Sequence, residues 1–290
     1  MNPKCNEDMI NSERCTNKHS TSQHSTNKDC SSNKKISHEE QASITRVIVH
    51  AGQLLQAYNA ESRLIEQTTE RLGMAFGLDS VEIALTSKAI ILTSRSNDHC
   101  VTTTRTMKSH GIDMGIVCGV QRICILAEKQ IYDVEQVKQR LDNLAVPKYN
   151  SVIVACFVAL SCACFSHLFG GDCIVFIATW LTSFIAMCIR QWLTQLHHNL
   201  LTVFFITAFT ATFIGSFASG FGWGNKPELV MITSVLQLVP GFPLINAVSD
   251  MVKGHVTIGM ARWMTATLLT LASTLGIVLA VQLAQLGGWL

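Results

Sequence analysis

Residues 237–250 read Gln-Leu-Val-Pro-Gly-Phe-Pro-Leu-Ile-Asn-Ala-Val-Ser-Asp, so Pro240, Gly241 and Pro243 interrupt an otherwise apolar stretch. Each proline removes an amide donor and clashes with the turn before it. Inside a bilayer such a break is tolerated only where the freed carbonyls face protein or a water-filled cavity, and a half-helix beginning there attracts anions to its N-terminus. Asn246 and Asp250 lie one turn apart on one helix face, with Pro243 on roughly the same side, and Gln237 stands just before the break. Polar groups at membrane depth are costly, and this set has the chemistry of a solute pathway. The plain structural alternative is a proline kink, with Asn246 bonding a neighbouring helix and Asp250 ending the span at the membrane surface.

Two arginines bear on the same region. Arg190 is read as a helix-end residue snorkelling to headgroups. Arg262 has an equal claim to a pathway role, because Gly254, Gly259 and Ala261 keep the backbone close to a neighbour. The expected pathway set is therefore Gln237, Pro240, Gly241, Pro243, Asn246, Asp250 and Arg262, with backbone amides and Arg262 favouring a substrate's carboxylates. Farther upstream, Glu61 and Arg71 belong to a dense polar run, 61–71, that could hold a substrate or form a cytosolic gate, although a solvated helix face is the default reading of such a run.

Asp172 reads as a solvated loop residue, and His197 and His198, being adjacent, point to different faces. The tryptophans read as interface or packing residues, Trp289 among them. No P-loop, dinucleotide-binding glycine motif, metalloprotease motif or nucleophile elbow is present, so neither an enzyme nor an ATP-driven pump is expected, and no cofactor or metal site. A membrane-embedded enzyme would need a paired nucleophile and base at depth, and none stands out.

The elements that must position these residues follow from the charge distribution. Beyond Lys148 only Asp172, Arg190, Lys226, Glu228, Asp250, Lys253 and Arg262 are formally charged, which places the second half in lipid. Charge-poor windows predict about five transmembrane helices, near 150–169, 173–190, 199–220, 228–249 and 258–285. The first apolar run able to span opens near Ser151, too late for a secretory signal. Lysines and arginines concentrate on the flanks that a cytosolic N-terminal half would place inside. A net charge of +2 excludes a phosphate-neutralising nucleic-acid surface, and the eleven scattered cysteines read as reduced thiols.

Residues 1–37, rich in Asn, Ser, Thr, Lys and His, read as a disordered polar tail whose Cys and His spacings match no zinc signature. Residues 38–147 read as a cytosolic α+β domain, and 148–290 as an α-helical polytopic membrane domain. Ser37 to Glu40 has the pattern of a capping box opening one helix; a second runs from Ala60 to Phe76 and packs on the first as a hairpin. Val81–Thr86, Ala89–Ser94 and Cys100–Met107 read as strands, with Ser87-Lys88 as the first turn. Helices follow over Met114–Lys129 and after Asp133, ending before Pro147.

Several of these stretches together resemble the threonine/serine exporter (ThrE) family over about residues 40–290. They are Ala60-Glu61-Ser62, Arg71-Leu72-Gly73, Asp79 to Glu82, Ile125 to Glu128, Ser161 to Phe165, Leu238 to Asp250, Lys253-Gly254-His255 and Gly259 to Trp263. The resemblance implies a cytosolic domain, a membrane domain and export of small hydrophilic metabolites without ATP hydrolysis. It also implies a separate small membrane partner subunit, because this chain carries one set of membrane helices where the family's long members carry two. For such split pairs the implied substrate is a dicarboxylate such as succinate; for the wider family it is threonine or serine. Asn59 stands where the family pattern has glycine, and asparagine tolerates the left-handed conformation that glycine would supply. The competing class is a non-transporting membrane sensor or scaffold, which has no need of the interrupted helix.

Overall fold

The computed structural model describes residues 37–97, 99–107, 111–144, 149–196 and 198–288. Most of the expected polar tail, residues 145–148 around Pro147, His197 and Trp289 lie outside them. The chain divides into two compact units, 1–146 and 147–290.

In the first unit, α1 (His38–Ala57) and α2 (Ser62–Ala75) form the helical hairpin. Asn59, between them, has φ 60, which accounts for asparagine at a position suited to glycine. Gly77, at φ 83, closes α2. The capping box expected at Ser37 is not formed: α1 starts there, with the Gln41 amide on the Ser37 carbonyl at 2.8 Å, but the serine side chain makes no cap bond. An exposed helix start in water loses little by this, since solvent takes the orphan amides.

Strands β1 (Ser80–Leu85), β2 (Ala89–Ser96) and β3 (His99–Thr106) form an antiparallel meander in that order, with Leu85 opposite Ile90 and Ser96 opposite His99. Ile90, Leu92, Ser94 and Ser96 alternate onto the buried face of β2, as period-two geometry requires. Gln41 and Thr45 of α1 reach across to this strand: Gln41 Nε2 donates to the Ser94 and His99 carbonyls at 3.2 and 3.1 Å, and Thr45 Oγ1 meets Ser94 Oγ at 2.7 Å. Helices α3 (Met114–Glu128) and α4 (Val134–Asp142) complete the core through Ile116, Val120, Ile123, Val137 and Leu141. Asp113 caps α3, accepting from the Gly115 amide at 2.8 Å.

The second unit is entirely helical among its described residues: α5 (Ser151–Leu168), α6 (Cys173–Gln195), α7 (Leu200–Gly220), α8 (Glu228–Val235), α9 (Gly241–Val252) and α10 (Val256–Leu286). Helices α5, α6, α7 and α10 are long and apolar enough to cross a membrane, and α8 with α9 passes the same test as a pair bent by 50°, the form of a broken span or a re-entrant loop. Together they make this a multi-pass membrane protein. α6 runs five residues beyond the charge-free window that ended at Arg190, so Arg190 is inside a helix and not at its end. A long Arg stem lets a helix continue past the point where the apolar run stops.

Small residues let the helices approach closely. A Cβ on Gly276 of α10 would lie 2.4 Å from the Phe205 carbonyl oxygen of α7, and one on Gly215 would lie 3.0 Å from Met231 Cα of α8. At one end of the unit, Asp172 caps α6 by accepting from the Val175 amide at 3.0 Å. Asn225 joins this loop to the α7–α8 connection, taking the Asp172 amide at 3.0 Å and donating to the Gly170 carbonyl at 2.8 Å. Asp172 is thus a structural cap, since a carboxylate at a helix start satisfies amides that lipid would leave unmet.

Candidate functional site

The interrupted span is built by its prolines. Pro240 would clash with the carbonyl four residues earlier, that of Leu236, so regular helix ends at Val235 and tightens into a 3₁₀ turn over Leu236–Leu238. Val239 is extended at ψ 118, and α9 leaves the break at 50° to the preceding half. Pro243 sits in the first turn of α9, where its missing amide costs no helical hydrogen bond.

The amides at the start of α9 are mostly committed. Gly241 donates to the Val239 carbonyl at 2.9 Å and Leu244 to the Pro240 carbonyl at 3.2 Å, while Pro243 has no amide. A Cβ on Gly241 would meet nothing within 4 Å, so the backbone faces open space at the bend.

Asp250 and Arg262 form an ion pair. Asp250 is wholly buried (0%), Arg262 nearly so (14%), and Arg262 Nη1 donates to Asp250 Oδ2 at 2.7 Å. The tight turn after α9 makes this geometry: Gly254, at φ 95, reverses the chain, and the His255 amide donates to the Asp250 carbonyl at 2.8 Å. Gly259 then allows α10 to lie on α9, because a Cβ there would sit 2.8 Å from the Ala247 carbonyl oxygen and 2.5 Å from Met251 Cγ. Asn246, one turn before Asp250, is half-buried on the same helix.

Gln237 lies on the other side of the break and faces α6. Its Nε2 donates to the Ser234 carbonyl at 3.1 Å and the Ser183 carbonyl at 3.4 Å. Its own carbonyl, released from the helix ladder, accepts from Arg190 Nη1 at 3.3 Å, and the Arg190 guanidinium also lies over the Phe204 ring at 5.0 Å. Along α6 the residues Thr179, Ser183, Ala186 and Arg190 recur at helical spacing toward this point. Ser183 is a residue here that sequence reading passed over, and Arg190 one that it assigned to headgroup snorkelling. The repeat of small and hydroxyl residues three and four apart along α6 was the available signal.

The structure therefore brings the pathway candidates into two groups, Gln237 before the bend and Asn246, Asp250 and Arg262 after it, with Pro240, Gly241 and Pro243 at the bend itself. Glu61 and Arg71 belong to the first unit and are described separately. Glu61 is the N-cap residue of α2. Arg71 pairs with Glu128 of α3, its Nη2 donating at 2.6 Å to Oε2, beside a shallow depression of about 460 Å³ lined by Glu70, Met74 and Ala75.

Comparison with known proteins supplies the family. Residues 46–284 match the family described as "Putative threonine/serine exporter". An Escherichia coli (strain K12) protein named "Probable succinate transporter subunit YjjP" is 43% identical over 252 residues, covering 87% of this chain and 98% of its own length. A Klebsiella aerogenes protein of the same name is 42% identical over 251 residues, covering 86% and 97%. No solved structure matches. With the match running from the first unit through the bent span and most of α10, the chain belongs to the threonine/serine exporter family.

Proposed function

We propose that this chain is the membrane subunit of a secondary exporter of small carboxylates, in the first instance dicarboxylates such as succinate, working beside a YjjB-like small membrane subunit. The observation that carries this reading is the bent span, in which a 50° break separates Gln237 from Asn246 and the buried Asp250–Arg262 pair. Broken helices with polar groups at the break are how membrane carriers expose backbone and side chains to a solute. Relatives named as succinate transporter subunits support the substrate and the need for a partner. In this reading the protein sits in the bacterial inner membrane with its first unit in the cytoplasm, in keeping with the lysines and arginines on the flanks expected to be inside.

Threonine or serine is the second substrate reading, favoured by the family description and by a buried acceptor at Gln237 that an ammonium or hydroxyl group could use. The test is efflux of labelled succinate and labelled threonine from preloaded cells lacking endogenous exporters, with the chain expressed alone and beside a YjjB-like subunit. Partner-dependent succinate efflux is the expected result. Threonine efflux alone moves the substrate to the second reading, and efflux of neither, with the complex verified in the membrane, favours a sensor or scaffold.

A further inference from the structure

Two features that would draw an anion to the bend are already engaged. Arg262 is neutralised by Asp250, and of the first four residues of α9 one has no amide and two have donated theirs within the turn. Arg190 is different. Its guanidinium meets the Gln237 carbonyl and the Phe204 ring, and among the described residues it forms no ion pair with a carboxylate. A guanidinium carries five N–H donors, so one carbonyl leaves most of them for a further acceptor. An arginine inside a spanning helix without a neutralising partner is costly to maintain, and such groups mark solute pathways.

A second observation falls on the residue whose carbonyl Arg190 holds. Gln237 Oε1 is buried and, among the described residues, has no hydrogen-bond partner. The amide cannot be turned over to relieve it, because Nε2 donates to two carbonyls, those of Ser183 and Ser234, which would then face an oxygen. Ser183 Oγ is buried nearby, and among the described residues its polar contact is the Cys162 thiol, a weak partner. A cation short of an anion thus adjoins an acceptor short of a donor.

We infer that Arg190 and Gln237 form a carboxylate-binding subsite at the bend: the guanidinium takes the carboxylate of a small solute, and Gln237 Oε1 accepts a hydrogen bond from a donor group on the same solute. The inference rests on the exporter reading and sharpens its substrate class to carboxylates that also carry a donor. A singly protonated dicarboxylate has one, as does a hydroxy- or amino-carboxylate; a simple alkyl carboxylate does not.

The test is equilibrium binding of labelled succinate and labelled threonine to the full-length chain, with any co-purifying subunit, in lipid nanodiscs at about pH 6, where part of the succinate holds one proton. Arg190→Gln is expected to weaken binding about ten-fold or more, and Arg190→Lys, which keeps a point charge but loses the fork, to weaken it less. Gln237→Glu adds a carboxylate at the residue whose carbonyl Arg190 holds and should weaken binding as Arg190→Gln does; it also sets an oxygen against the Ser183 and Ser234 carbonyls, so its melting temperature should fall below wild type. Butyrate should compete about ten-fold less well than the ligand that binds, and that ligand names the donor's source. A purely structural Arg190 would lower the melting temperature and leave affinity unchanged. Wild-type affinity in both Arg190→Gln and Gln237→Glu overturns the subsite; if one of the two does not assemble, wild-type affinity in the other overturns it. Butyrate competing equally well overturns the donor half. A wild-type protein that binds neither ligand overturns the exporter reading, and the subsite with it.

Discussion

Asp250 Oδ2 accepts a hydrogen bond from Arg262 Nη1 at 2.7 Å, across the tight turn between α9 and α10, and the carboxylate has no exposed surface. The pair fastens the second half of the broken span to α10. Its energetics are asymmetric: a complete buried pair is roughly neutral against an apolar replacement, whereas half a pair strands a charge.

Asp250→Asn should therefore destabilise the protein by about 3–5 kcal/mol, and the double change Asp250→Asn with Arg262→Gln should recover most of that loss. Melting of the purified variants in nanodiscs measures both. Equal destabilisation of single and double variants would mean the pair is not the unit that matters.

Pro243→Ala and Asn246→Ala should abolish export while the protein still inserts and assembles. Pro243 sets the start of α9, and Asn246 offers hydrogen bonds on the side of the bend that also carries Asp250. Normal efflux from both variants would remove the bend from the pathway.

Gly276→Ala should cost about 1–3 kcal/mol, because the added methyl meets backbone atoms of Phe205 and Phe209 that cannot rotate away. Gly241→Ala meets nothing, so its effect on melting should be small. A comparison of the two melting temperatures tests whether close helix approach, and not glycine content, holds the membrane unit together.

Burial pushes the Cys124 thiol up from its ordinary 9.0 to about 12, with Glu128 adding to the effect. The folded state holds the proton more tightly than the unfolded chain does. The associated stability is complete below about pH 9 and is lost as pH rises toward 12. Alkylation at pH 8 followed by peptide mapping should label the exposed Cys100 and spare Cys124 until the protein is denatured. Labelling of both at equal rates in the native protein would contradict this burial.

Much of the architecture was legible in the sequence. The three strands, the Met114 helix and the run of four to five apolar helices follow from period-two alternation, helical spacing and charge-free length. The end of α6 was not legible, because a window that stops at the first charge cannot know that a helix will carry Arg190 another turn. Nor was the partnership of Arg262 with Asp250, which depends on Gly254 and Gly259 folding α10 back onto α9. The break itself was visible in Pro240 and Pro243. Its unsatisfied carbonyl at Gln237, and the arginine that meets it, required the neighbouring helix.

The two halves of the bent span are enclosed very differently. Helix α8 is packed among α5, α6 and α7, whereas α9 has α10 as its principal neighbour, and its other flank bears Ile245 and Val252, 69% and 81% exposed. A solute passing Asn246 would have this chain along one side and lipid or another polypeptide along the other. If the bend carries the solute, this half-span would be one wall of the passage, and the composition of the opposite wall would determine what passes as much as the residues on this one.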